Sequence, residues 1–168
     1  MHNKSSEIKQ ALRAQFRKGT SKLAKRVCFG YNQNEHGDLV INPTEAEIVK
    51  WMFERYLSGA SLGKIADELY RKGIPSPTGR ERWNREAIDK LLSNEKYIGV
   101  VLLQKTISVM GVQIENTGSA DRYLTKNTHS AIISVELFKA VQEEKGRRCR
   151  GNMQENAASE MLYVIGMM

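Results

Sequence analysis

Between residues 42 and 92 the sequence announces three helices in succession, each with its own start and stop, and this run constrains the fold more than any other feature. Asn42 is a good N-cap, Pro43 suits the first helical position, and Glu45 stands three residues past the cap, where it can complete a capping box. Val49, Met52, Phe53, Tyr56 and Leu57 then recur at helical spacing as one apolar face, and Gly59 supplies the stop. Ser61 caps a second helix in which Leu62, Ile65, Ala66 and Leu69 face inward, and Gly73 ends it. Asn84 caps a third, whose Ile88, Leu91 and Leu92 face the core. Trp83 precedes that cap and is placed to form a hydrophobic staple with Ile88, a structural role.

The connection between the second and third helices, within "RKGIPSPTGRERWNREAI" at residues 71–88, is rich in proline, glycine and cations. Two short helices joined by a segment that fixes their crossing are the outline of a helix-turn-helix. Pro75 and Pro77 stiffen the join, so its basic tip has less entropy to lose on binding. Arg80, Arg82 and Arg85 lie at or beside the start of the third helix, where a recognition helix meets base edges and phosphates. Glu86 and Asp89 on the same helix repel phosphate, so its groove contacts are expected to be few and selective.

Charge is distributed unevenly around this core. The chain of 168 residues has a net charge of +7, and residues 1–28 hold Lys4, Lys9, Arg13, Arg17, Lys18, Lys22, Lys25 and Arg26 against Glu7 alone, so the remainder is balanced. Lys9, Arg13 and Arg17 repeat every four residues, as do Lys18, Lys22 and Arg26, and a helix over 1–28 would carry them as two cationic rows. Like charges so spaced repel one another. They suit an arm lying along a polyanion, with nucleic acid the foremost candidate.

After the arm, "VCFGY", "NQNEHGD" and "LVI" read as a strand, a polar turn holding His36, and a returning strand. Beyond the third helix, alternating runs across residues 97–127, broken at Met110-Gly111 and Asn116-Thr117-Gly118, predict a small antiparallel sheet. Ser134 is placed to cap a last helix over 134–148, with Leu137, Phe138 and Val141 inward. The fold class expected is α+β and mainly helical: a helix-turn-helix-like core (61–94) with small antiparallel hairpins, preceded by a basic N-terminal helix. Residues 151–168 are expected to be disordered or to pack against a neighbouring molecule.

Cys28 and Cys149 are the only cysteines and stand far apart, and the three histidines are scattered. No pair has zinc-ligand spacing, so neither a metal nor a cofactor is expected, and two lone thiols suit a reducing cytoplasm. No apolar run approaches the roughly 18 residues of a membrane span. His129 is expected to hydrogen-bond within the fold, with no metal partner in the sequence around it.

"FGY", then "NPTEAEIVKWMFERYLSGASLGKIADELYRKGIPSPTGRERWNREAIDKLLSNEKYIGVV", then "HSAIISVELFKAVQEEKGRR" closely resemble the recombinase domain of large serine recombinases, the integrases and transposases of phages and conjugative elements. The resemblance covers residues 5–150, in order. It implies a basic helix that leads from a catalytic serine domain and crosses the DNA backbone, a domain over 29–150 that reads the adjacent major groove, and a following zinc ribbon. Neither the catalytic motif of tyrosine, arginine and serine nor the ribbon's cysteine pairs can be found in this sequence, and Ser5 and Ser6 read as helix caps. The expectation is a non-catalytic DNA-binding piece of a strand-exchange recombinase, monomeric by itself, with its parent a dimer or tetramer on double-stranded DNA at an attachment site. Lys9, Arg13, Arg17, Lys18, Lys22, Lys25 and Arg26 would mainly hold phosphates. Arg80, Arg82, Asn84, Arg85 and Lys90 would supply base-edge and nearby backbone contacts. A stand-alone helix-turn-helix regulator or a helical adaptor for an acidic protein are the rival readings.

Overall fold

The computed structural model describes residues 4–18, 21–126 and 128–149; the expectation for residues 151–168 lies outside them. Helix α1 (Lys4–Lys18) is followed by a hairpin of β1 (Tyr31–Gln33) and β2 (Leu39–Ile41), then α2 (Pro43–Leu57), α3 (Leu62–Arg71) and α4 (Arg85–Leu92). A 3-10 turn (Glu95–Ile98) leads into β3 (Val101–Leu103), β4 (Thr106–Val109), β5 (Val112–Glu115) and β6 (Tyr123–Thr125), and α5 (Val135–Cys149) closes the chain of elements. The fold is α+β with helices dominant, as expected.

Each helix start in the central run is capped as its sequence dictates. The amide of Glu45 donates to Asn42 Oδ1, that of Lys64 to Ser61 Oγ, that of Ala87 to Asn84 Oδ1 and that of Leu137 to Ser134 Oγ. The capping box at α2 does not close. Asn42 donates its own amide to the Gly30 carbonyl, and the Glu45 carboxylate accepts instead from the Gly30 amide at 2.7 Å, so the acid ties α2 to the hairpin.

Val49, Met52, Phe53, Ile65, Leu69, Ile88, Leu92, Phe138 and Val141 form a common core in which α2 lies against α5 and α3, and α4 against α3 and α5. Burying each large side chain contributes about 1.5–3 kcal/mol. Leu57, at the last position of α2, stands exposed, and Leu62 is half-buried: both occupy helix ends, where the stripe has run past its neighbours. From α5, Gln142 donates to the Leu92 carbonyl, while the Arg148 guanidinium lies over the Tyr56 ring and donates to the carbonyls of Tyr56 and Ala60.

Three short motifs meet in one knot. Tyr31 donates its hydroxyl to the Ser130 carbonyl at 2.7 Å, Tyr97 donates to the Phe29 carbonyl at 2.8 Å, and the amides of Ile132 and Ile133 both donate to the Tyr97 carbonyl. Gly99 belongs to this knot for a steric reason: its φ is +78°, and a Cβ there would stand 2.8 Å from the His129 carbonyl.

The strand region is two separate antiparallel pairs, β3 with β6 and β4 with β5, where a single sheet was expected. β4 and β5 are joined by a two-residue turn with Met110 and Gly111 both at positive φ, the geometry that matches strand twist. Buried Asn116 organises the return to β6, donating to the carbonyls of Gln104 and Ala120 and accepting from the amides of Gly118 and Ala120. Among the described residues no helix is long and apolar enough to cross a membrane, and no cluster of three or more His, Cys, Asp or Glu side chains could hold a metal ion.

Candidate nucleic-acid interface

The basic arm is shorter as a helix than its charge pattern suggests. α1 ends at Lys18, Ser5 and Ser6 lie within it rather than ahead of it, and the chain has turned by Ser21, whose carbonyl and hydroxyl accept from the Ala24 amide. Lys9, Arg13 and Arg17 therefore form one row on α1, whereas Lys22, Lys25 and Arg26 follow in a turn and the segment after it.

The arm is docked. Phe16 is buried with Ala24, Val101 and Leu103 in a second, smaller core, and its ring meets that of Tyr123 at 5.9 Å. Lys9, Leu12, Arg13 and Phe16 form one side of a cleft of about 820 Å³, with Lys96, β3 and Lys105 across it. Lys96 donates to the carbonyls of Leu23 and Arg26, which fixes the turn below α1. The acid in the cleft wall, buried Glu95, is neutralised by Lys105 at 2.6 Å and also accepts from the Leu102 amide.

The proline-rich loop is ordered by its own hydrogen bonds. The Ile74 amide returns to the Leu69 carbonyl behind Gly73, a helix-ending arrangement, and buried Trp83 donates from Nε1 to the Ile74 carbonyl while meeting Phe29 edge-on. Ser76 pins the tip: its amide donates to the Arg80 carbonyl, and its carbonyl and hydroxyl accept from the amides of Gly79 and Arg80. Arg80 and Arg82 thus leave a fixed turn. The connection from α3 to α4 spans 72–84 and is far longer than the roughly three- to four-residue turn of a simple helix-turn-helix.

Within this group the cations have different surroundings. Arg82 pairs with Asp67 of α3, Lys90 pairs with Glu86 one turn earlier on α4, and the Asn84 carbonyl oxygen is engaged as the cap. Arg80 and Arg85 are exposed and have no acidic partner among the described residues, and the Arg85 guanidinium lies against Gly63. In the arm, Lys25 pairs with Asp38, whereas Lys9, Arg13, Arg17, Lys18, Lys22 and Arg26 have no acidic partner among the described residues. Sequence reasoning missed Asp67 and Gly63, which lie one turn apart on α3, and the contribution of Lys96 and Lys105 to the cleft. Only the four-residue spacing of Gly63 and Asp67 could have hinted that they share a face.

His129 has the structural place expected of it: Nε2 meets the Lys96 carbonyl at 2.6 Å, Nδ1 meets Thr128 Oγ1 at 2.7 Å, and Tyr31 packs edge-on at 4.9 Å. His36 lies exposed in the β1–β2 turn.

A family model described as Recombinase matches residues 43–148, well over half of the chain. The chain belongs to the Recombinase family. Two solved structures are similar to this recombinase-family chain. One is described as the crystal structure of an LSR-DNA complex, with 22% identity over 77% of this chain and 35% of that one and a TM-score of 0.49. The other concerns the sequence requirements of the Listeria innocua prophage attP site, with 21% identity over 82% of this chain and 50% of that one and a TM-score of 0.56. The likeness to the second is one of fold, and the chain spans half or less of the length of either.

Proposed function

We propose that this chain is the DNA-binding part of a site-specific serine recombinase and recognises one half of a double-stranded attachment site. The observation that carries this reading is the concentration of unpaired cations on the arm. Of its eight cations only Lys25 has an acidic partner among the described residues, and the exposed Arg80 and Arg85 at the mouth of α4 have none there either. Unpaired cations on rigid supports suit a polyanion, and two groups on different supports suit two tasks. In this reading Lys9, Arg13, Arg17, Lys18, Lys22 and Arg26, with Lys25 beside them, hold phosphates. Arg80 and Arg85 reach base edges in the major groove, with Arg82, Asn84 and Lys90 flanking. The parent protein would join and exchange DNA strands, through a catalytic domain distinct from these residues, as a dimer or tetramer assembled on the site.

Membership of the Recombinase family and the likeness of fold to the structure concerning the Listeria innocua prophage attP site support this reading, and selection followed by titration tests it. A duplex enriched from a randomised library and a scrambled permutation of it would be titrated at about 50 and 200 mM salt. The selected duplex should bind at least about tenfold more tightly, and six phosphate contacts should make affinity fall about a thousandfold across that salt range. Equal binding of both duplexes would remove the claim of recognition. Failure to bind any duplex would remove the whole reading.

A further inference from the structure

We propose that Gly63 is a positioning residue that seats the Arg85 guanidinium and so makes Arg85, rather than Arg82, the principal base-reading arginine of the α3–α4 unit. This inference rests on the DNA-binding reading above and goes beyond it by naming what orients the reader.

Gly63 is the second residue of α3, after the Ser61 cap and Leu62. Its backbone is ordinary right-handed helix, so no positive φ calls for glycine there, and a helix favours alanine at such a place. The requirement is steric. A Cβ on residue 63 would stand 3.1 Å from both Nε and Nη2 of Arg85 and 3.4 Å from Cζ. The two nitrogens stand nearer than the carbon between them, so the Nε–Nη2 edge of the group is turned towards the helix backbone and fills the space a side chain would take. Carbon contacts relax at about 3.5–4.0 Å, so alanine would push the group back from its seat by a few tenths of an ångström.

The neighbouring arginine shows what a seat without charge achieves. Asp67 lies one turn along α3 from Gly63 and holds Arg82 in an ion pair through Nη2, which takes one of the donors that a guanine edge would need. Gly63 offers contact and no acceptor. Arg85 is thereby restrained through its Nε–Nη2 edge while the Nη1 end stays available, and it sits at the first position of α4, directly after the Asn84 cap. A long side chain held in place loses less freedom on binding than a mobile one.

The test is a double-mutant cycle of Gly63→Ala and Arg85→Ala on the full chain, read as affinity for the selected duplex and for its scrambled permutation, with thermal melting alongside. Gly63→Ala should keep or raise the melting temperature, because alanine is the better helix former, yet should weaken binding to the selected duplex about tenfold and leave the scrambled one nearly unchanged. In the Arg85→Ala background, Gly63→Ala should have no further effect on binding. The proposal is overturned if Gly63→Ala leaves the selected duplex bound as before while Arg85→Ala weakens it, an outcome that preserves the DNA-binding reading. It is equally overturned if Gly63→Ala weakens binding by the same factor in both backgrounds. If Arg85→Ala changes neither affinity, Arg85 is not a reader, and its seat loses the function assigned to it.

Discussion

His129 illustrates how one side chain can fasten three segments and leave a pH signature. Burial holds its pKa below the ordinary value, partly opposed by the hydrogen bond to the Lys96 carbonyl. The neutral ring with its proton on Nε2 satisfies both neighbours: Nε2–H donates to Lys96, and Nδ1 accepts from the Thr128 hydroxyl. Protonation would place a positive charge in a half-buried site beside the Lys96 ammonium, with the hydroxyl turning to the Gly99 carbonyl. The sign follows from linkage. The unfolded chain takes up its proton near pH 6.5, before the folded one does, so this group's contribution is complete above about pH 6.5 and is lost as pH falls towards the depressed folded value. We expect His129→Gln to lower stability at neutral pH by about 1–2 kcal/mol, for two imperfectly replaced hydrogen bonds. The variant's melting temperature should also fall less than that of the native chain between about pH 7 and 5. Parallel profiles would show that another group carries the acid sensitivity. The phenols of Tyr31 and Tyr97 are pushed up by burial and remain neutral donors throughout this range.

At the scale of elements, what the sequence made legible is what is local. A cap acts on an amide three residues ahead and a glycine stop on carbonyls of the preceding turn, so the starts at Asn42, Ser61, Asn84 and Ser134 could be read from spacing alone. The diversion of Glu45 to Gly30 could not, because that amide comes from a hairpin folded back beside α2. The division of the strands into two pairs was hidden for the same reason: β3 finds β6 across an intervening hairpin, and alternation does not name a partner. In the candidate interface the cations were visible, but not that Asp67 and Glu86 engage two of them. The arm's row was legible only as far as the helix continues. Lys9, Arg13 and Arg17 share α1, so replacing all three by alanine should lower the slope of log affinity against log salt by about three units and weaken selected and scrambled duplexes by the same factor. A fall confined to the selected duplex would mean that the arm reads sequence, reversing the roles assigned to arm and loop.

For the molecule as a whole, the arrangement that matters is a large helical core bearing one cationic group and a small core bearing the other. The small core is Phe16, Ala24, Val101 and Leu103 with Tyr123 beside them, and through it α1 is held against the β3–β6 pair. Few apolar side chains hold this contact, so α1 should open at lower free energy than α2, α4 or α5. If both groups engage one duplex, holding α1 in place makes the second engagement intramolecular, and its gain depends on that restraint. Phe16→Ala should therefore leave the main melting transition nearly unchanged, because the residue lies outside the large core, while amide protection along α1 is lost. Affinity should fall by about tenfold, on the order expected when a tethered contact gains freedom, for selected and scrambled duplexes together, with their ratio kept. Measuring hydrogen exchange and both affinities on the same variant separates the possibilities. A large drop in the main transition would merge the two cores into one cooperative unit. Loss of the ratio between duplexes would show that the docked arm helps to set the register of α4 on DNA, and that holding phosphates and reading bases are one task in this fold.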